Sequence, residues 1–226
     1  MKKITFLVLS LVLVSYVGAQ DFKLFMGPVV SNYSSQWPNM IFPEWQGDTS
    51  SLNPFDNHRT GIVGGFGVEF TINKKLAVEI DGLYFEKGSV FIFEPTDEVI
   101  FFESYKVEYK LRSLSFPIFL KARPFSFPLP YFLAGADVSL NLSHERTSFQ
   151  MPEAGSVWNA VGQEDLSFVT RNIAMGAVFG IGLEAPLKKG LLSLEARYQL
   201  GITNIMMRFG DALRTRSLLL IVGYKI

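Results

Sequence analysis

The sequence predicts an all-β chain closed into an eight-stranded antiparallel up-and-down transmembrane β-barrel, with long extracellular loops and short periplasmic turns. Three features of its 226 residues carry that prediction. Apolar and polar side chains alternate with period two in stretch after stretch, short and long connections alternate between those stretches, and no apolar run beyond the N-terminus is long enough for a membrane helix. Period two by itself does not say which face meets water. "LLSLEARYQLGI" (191–202) sets Leu192, Leu194, Ala196, Tyr198, Leu200 and Ile202 against Ser193, Glu195, Arg197, Gln199 and Gly201. A soluble barrel of lipocalin type would turn the leucines inward, whereas lipid would draw them outward and enclose Glu195 and Arg197.

The N-terminus comes first in the chain. Lys2 and Lys3 precede an apolar run over 4–17, and Val17-Gly18-Ala19 forms a small-residue cleavage pattern. The run is shorter than the ~20 residues of a spanning helix, so 1–19 reads as a secretory signal peptide and 20–226 as the barrel domain.

Eight strands follow, each with an apolar and a polar parity. Phe22, Leu24 and Met26 oppose Lys23, Phe25 and Gly27 in the first. In the second, Ile62, Phe66, Val68 and Phe70 oppose Gly61, Gly65, Gly67 and Glu69. Leu76, Val78, Ile80 and Tyr84 oppose Ala77, Glu79 and Asp81 in the third, and Leu114, Phe116, Ile118 and Leu120 oppose Ser113, Ser115, Lys121 and Arg123 in the fourth. The fifth sets Phe132, Ala134, Ala136, Val138 and Leu140 against Gly135, Asp137, Ser139 and Asn141. The sixth sets Ile173, Met175, Phe179, Ile181 and Leu183 against Ala174, Gly176, Gly180, Gly182 and Glu184. The seventh is the stretch quoted above, and the last sets Leu218, Leu220, Val222, Tyr224 and Ile226 against Ser217, Leu219, Gly223 and Lys225.

Connections break the symmetry. "INKK", "PFSFPLP" and "PLKKG" are short, and the links over 33–59, 88–107, 143–170 and 203–213 are long, in strict alternation. An outer-membrane barrel needs that rule and a lipocalin does not, so the leucines face lipid. Outward aromatics fit two headgroup belts, with Phe70, Phe132 and Tyr224 near the periplasmic ends and Tyr84 and Tyr109 near the opposite ends. Eight strands leave an interior that side chains fill. The inward parity is rich in glycine and in charge of both signs: Lys23, Lys121, Arg123, Arg197 and Lys225 nearly balance Glu69, Glu79, Asp81, Asp137, Glu184 and Glu195. A lumen of paired ions shielded from lipid is expected.

Composition removes several function classes. A net charge of +0 and a pI near 6.8 lack the basic bias that phosphate contacts need, so no nucleic acid is expected. The absence of cysteine excludes a disulfide framework, a lipid-modified cysteine and thiolate chemistry. His58 and His144 lie far apart, and the acidic residues Glu94, Asp97, Glu98 and Glu103 lack the spacing of a calcium loop. The clusters "GIVGGFG" and "GAVFGIG" do not match a dinucleotide fingerprint. No cofactor is expected.

Several stretches resemble the PorT-like outer-membrane β-barrel proteins of Bacteroidota: "LSFPIFLKARPF", "PYFLAGADVSLNLS", "GAVFGIGLEAPLKKGLLSLEARYQLGITNI" and the closing "SLLLIVGYKI". The resemblance covers nearly all of the mature chain. It implies a small outer-membrane barrel of a Gram-negative bacterium, with a structural or adaptor role in the envelope, and the family's namesake is tied to a protein secretion system. It carries no functional residue across. Such barrels usually end in an aromatic residue, and this chain ends in Ile226.

Candidate chemistry sits in the loops. Ser143-His144-Glu145 places nucleophile, base and acid types side by side in a long connection, but triads assemble across space with an orienting third group, so no catalytic residue is assigned and no enzyme is expected. Aromatic loop residues, Trp37, Phe42, Trp45 and Phe55, then Phe91, Phe93, Phe101 and Phe102, then Trp158, suggest contact with a partner protein, such as an envelope or secretion protein, a glycan or lipid, or else packing on one another or an extension of the barrel wall. Lys110, Arg112, Arg214 and Arg216 share the outward parity just beyond the apolar band, in reach of lipopolysaccharide phosphates. The expected protein is a monomer in outer-membrane lipid acting as a surface scaffold. A narrow pore, a lipid-modifying barrel enzyme and a periplasmic lipocalin-like binding barrel are the alternatives.

Overall fold

The computed structural model describes residues 21–34, 58–93, 104–125, 130–151, 157–207 and 213–226. The signal segment lies outside them. Nine strands form one antiparallel sheet: β1 (Asp21–Ser34), β2 (Arg59–Asn73), β3 (Leu76–Phe93), β4 (Ser104–Ala122), β5 (Tyr131–Met151), β6 (Asn159–Asp165), β7 (Ile173–Leu187), β8 (Gly190–Gly201) and β9 (Arg214–Lys225). Eight of them close a cylinder in chain order, with β1 hydrogen-bonded to β9 and β4 to β5. The ninth, β6, pairs with the upper part of β5 alone.

The direction of the alternation is settled by exposure. Leu194 and Ile181 are 55% and 47% exposed on the outer wall, while Glu195 and Arg197 are each 1% exposed inside. Along β7 the outward residues Ile173, Met175, Ala177, Phe179, Ile181 and Leu183 span ten residue steps. That is ~33 Å of strand, which a tilt of ~40° projects to ~25 Å, the height of a lipid-facing band. A closed cylinder leaves no strand edge open to hydrocarbon, so every backbone amide at that depth finds a partner.

Above the band the strands run further than the sequence suggests. Both ends of the link expected over 88–107 are strand, because β3 continues to Phe93 and β4 begins at Ser104. The link expected over 143–170 holds the rest of β5, all of β6 and a 3-10 turn at Ser167–Val169. Past the lipid there is no apolar solvent to enforce a fixed parity, and β5 uses that freedom. Arg112 pairs with Ser143 and Ser113 with Asn141, so Leu142 is an extra residue that reverses the facing of everything after it. His144, expected in a loop, is instead a lumen-facing strand residue with 0% exposure.

Two other expectations are corrected here. Tyr109 is not part of an outer belt: it has the inward parity of β4 and is 3% exposed. Phe91 is likewise not an exposed loop aromatic but a buried residue of β3.

Candidate functional site

Each of the eight barrel strands contributes a charged side chain to the lumen; those of seven strands meet in one ion-pair network, and Asp137 of β5 is held by neutral donors. Nearest the short turns, Lys121 Nζ lies 2.7 Å from Glu69 and 2.6 Å from Glu184. Arg123, half-buried at the rim, reaches Glu69 at 2.6 Å, and Lys225 bridges Glu69 and Asp21 at 3.3 and 3.0 Å. One layer deeper, Arg197 holds Asp81 at 2.5 Å, Glu79 at 3.0 Å and Glu195 through its Nε at 2.6 Å. Lys23 pairs with Glu79 at 2.9 Å and also with Glu195. Glu79 is within 3.5 Å of Lys121, which links the two layers. Beyond them Asp137 accepts hydrogen bonds from Ser115, Ser139 and Gln199.

Two polar residues of the lumen fall outside the sequence reading. Tyr131, wholly buried, donates its hydroxyl proton to Glu195 and places its ring 3.9 Å from Lys121 Nζ. Lys87, 2% exposed, lies with its ammonium 4.6 Å from the centre of the Phe85 ring. Adding Lys87 to Lys23, Lys121, Arg123, Arg197 and Lys225 gives six cations against the six anions Glu69, Glu79, Asp81, Asp137, Glu184 and Glu195. Its signal was present: Ala77, Glu79 and Asp81 share its parity, and only the early end expected for that strand hid it. The ion-paired members stand because each has a partner of opposite charge, Asp137 keeps three neutral donors and Lys87 rests on a ring face; an uncompensated charge in a closed low-dielectric interior costs several kcal/mol. Apolar side chains fill the walls between the ions, Phe25, Val29, Val63, Leu83, Phe85, Leu219 and Ile221 on one side and Phe119, Leu133 and Val178 on the other.

The extracellular mouth carries an apolar plug. Leu166 and Val169 from the β6–β7 connection and Ile205, Met206 and Leu213 from the β8–β9 connection pack on Tyr33, Phe91, Val107, Tyr109 and Leu111. Hydrogen bonds pin it from above: Arg171 donates to the Ile205 carbonyl at 2.7 Å and Met207 to the Val169 carbonyl at 2.8 Å. Within it, above the apolar band that ends at Val30 of β1 and Leu142 of β5, His144 lies between Thr170 and Tyr33. The Thr170 hydroxyl donates to the Leu166 carbonyl at 2.8 Å, so it accepts from His144 Nδ1 at 2.7 Å. His144 Nε2 is then left to accept from the Tyr33 hydroxyl at 3.1 Å. That assignment makes the imidazole neutral, and burial pulls its pKa down to about 4 against a weak opposing pull from Asp165. Burial also pushes the Tyr109 phenol up to about 12.

A pH dependence follows. The unfolded chain takes up a proton at the ordinary histidine pKa near 6.5, and the folded chain refuses it until about pH 4. Stability from this residue is therefore full above pH 6.5, falls as pH drops toward 4, and falls no further below that. The span amounts to about 3 kcal/mol. Urea midpoints of the vesicle-reconstituted barrel at pH 7.5 and 4.5 should drop more for wild type than for His144→Gln, and equal drops would refute the assignment.

The Ser143-His144-Glu145 run does not assemble. Neighbours on a strand face opposite ways, and Arg112 takes up Ser143 at 3.5 Å and Glu145 at 2.8 Å on the outer wall while His144 points into the plug. The four outer cations also divide. β4 and β9 stand on opposite sides of the cylinder, so Lys110 and Arg112 form one pair and Arg214 and Arg216 another. Lys110 and Arg112 share Glu86 at 3.1 and 3.4 Å, whereas Arg216 is exposed. Trp158 is half-buried beside β6, its ring 5.6 Å from Lys106 Nζ, which also covers Phe149 at 4.2 Å. Trp37, Phe42, Trp45, Phe55, Phe101 and Phe102 lie outside the described residues, as do Glu94, Asp97, Glu98 and Glu103. Among the described residues no cluster of histidine and carboxylate groups has the arrangement of a metal site.

Comparison with known proteins places these features. The family described as outer membrane protein beta-barrel domain matches residues 18–206. A search of curated proteins finds no match. Among solved structures the chain is similar to Ail, the attachment invasion locus protein of Yersinia pestis, in complex with the heparin analogue sucrose octasulfate. Identity is 11% over 91% of this chain and 98% of that one, with a TM-score of 0.40. Neisserial surface protein A gives 14% identity over 91% and 97%, with a TM-score of 0.39. OprG from Pseudomonas aeruginosa gives 13% over 92% and 96%, with a TM-score of 0.42.

Proposed function

Because the chain belongs to the outer membrane protein beta-barrel domain family, we propose that it is a non-conducting, non-enzymatic scaffold of the Gram-negative outer membrane. In this reading it is monomeric, has lost its signal peptide on export, and presents its extracellular rim to another envelope or secretion protein. The stretches that resemble PorT-like barrels support a position in that branch of the family. The observation that carries the proposal is the lumen itself: paired ions fill its lower half and the plug of Leu166, Val169, Ile205, Met206 and Leu213 fills its mouth. A narrow pore would need a wet bore, and these layers oppose one. The outward pairs Lys110 with Arg112 and Arg214 with Arg216 sit where lipopolysaccharide phosphates lie, and serve to anchor the rim.

One preparation tests the reading. Barrel purified from native membranes should show no unitary conductance in planar bilayers. A photocrosslinker beside Trp158 should yield one defined protein adduct by mass spectrometry. Co-purified lipopolysaccharide should fall in an R214E/R216E variant and in a K110E/R112E variant. Steady single-channel steps, or adducts to lipid alone, would overturn the scaffold reading.

A further inference from the structure

The short-turn end of the barrel exposes cations and withholds its acids. Glu69 and Glu184 turn into the lumen onto Lys121 and Arg123, and Asp21 is held by Lys225 at 3.0 Å. The β2–β3 turn consists of Lys74 and Lys75 and the β7–β8 turn of Lys188 and Lys189, all four exposed. Among the described residues the ion pairs at this end involve Lys121, Arg123 and Lys225 and none of those four. The third short connection, "RPFSFPLP", adds no acidic residue.

Both turns are braced and placed. Asn73 Oδ1 accepts from the Lys75 and Leu76 amides at 2.8 and 3.0 Å, which fixes the first. The Lys189 carbonyl accepts from the Tyr224 hydroxyl at 2.8 Å, which fixes the second. Ile72 and Leu187, 62% and 50% exposed on the outer wall, stand one or two residues away. At ~3.3 Å per residue the ammonium groups therefore lie just past the apolar band, at the depth of lipid headgroups. In the strand order β4-β3-β2-β1-β9-β8-β7-β5 the two turns lie on opposite sides of the cylinder.

We propose that the two Lys-Lys turns are binding sites for anionic phospholipid headgroups of the periplasmic leaflet. A lysine ammonium is a compact charge suited to a phosphate whose own headgroup carries no compensating amine, and it gains most where solvent screening is reduced. Two opposed, braced sites set the depth and upright orientation of the barrel and gather anionic lipid about its periplasmic rim. This stands apart from the scaffold reading, since it holds whether or not a protein partner exists.

The test is lipid selectivity of the folded, full-length barrel in vesicles of phosphatidylcholine and phosphatidylglycerol, read with spin-labelled lipids. Wild type should prefer phosphatidylglycerol by about fivefold for each lysine that holds a headgroup. That preference should vanish in K74Q/K75Q/K188Q/K189Q, should shrink in about 0.5 M salt, and should persist when all four positions are Arg. Gel mobility before and after boiling certifies that each variant is folded. If the fourfold Gln variant fails that check, K74Q/K75Q and K188Q/K189Q separately should each remove about half of the preference. An unchanged preference in a folded Gln variant overturns the proposal. So does lysine-dependent retention on purified cell-wall sacculi with no lipid preference.

Discussion

Arg197→Met is expected to lower the unfolding free energy of the reconstituted barrel by about 3–5 kcal/mol. Arg197 is 1% exposed and, among the described residues, is the one side chain that touches Asp81, Glu79 and Glu195 together. Its guanidinium also rests 4.6 Å from the Phe119 ring centre and 5.5 Å from that of Phe25. Methionine fills much of the same volume, so the packing against those rings survives and the loss isolates the charge. Glu79 and Glu195 keep Lys23, but the ion pair of Asp81 is with Arg197. The double variant Arg197→Met with Asp81→Asn removes one charge of each sign and should recover at least half of the deficit, since the penalty belongs to the uncompensated ion and not to the absence of the pair. Urea unfolding in vesicles, followed by tryptophan fluorescence, measures both. A single variant within about 1 kcal/mol of wild type, or a double variant worse than the single, would mean that the lumen admits enough water to screen these charges.

The same residues explain why so much of the molecule was legible and where legibility stopped. At lipid depth every outward side chain meets hydrocarbon, so the sequence over 191–202 has no freedom to mix its parities, and the facing of Glu195 and Arg197 can be read without coordinates. The constraint ends with the lipid. Past Leu142 both faces of β5 meet protein or water, one inserted residue costs little, and the parity that would have located His144 is reversed. The Tyr33–His144–Thr170 contact joins positions as much as 137 residues apart. It leaves no local pattern, because hydrogen-bond geometry between distant strands is set by their register and not by spacing along the chain. Lys87 is an intermediate case: its parity is right, but it lies just beyond the last apolar outward residue of its strand that the alternation made plain. Tyr131 was missed because it is the first residue of β5, where a proline-rich turn masks the start of the alternation.

Gly182→Val should cost about 3–5 kcal/mol, out of proportion to two methyl groups and a Cβ. Gly182 on β7 is the direct partner of Tyr131 on β5, and a Cβ there would lie 2.3 Å from Tyr131 Cζ and 2.5 Å from its hydroxyl oxygen. No real Cβ tolerates that approach, so either the ring swings away or the two strands part. Strand separation would break the ladder of a closed barrel, in which the backbone groups have no water to turn to. Rotation of Tyr131 is the cheaper response, and it has two consequences inside the network. Glu195 loses a neutral donor to its carboxylate, and Lys121 loses the ring face 3.9 Å away. The decisive measurement is a double-mutant cycle with Tyr131→Leu, which removes both the clash and the phenol. If the cost is the ring's displacement, valine at 182 should be nearly neutral in the leucine background, giving a coupling close to the whole single-variant cost, about 3–5 kcal/mol. Additive losses would instead place the damage in the β5–β7 backbone, and Tyr131 would then be a passive filler of the lumen.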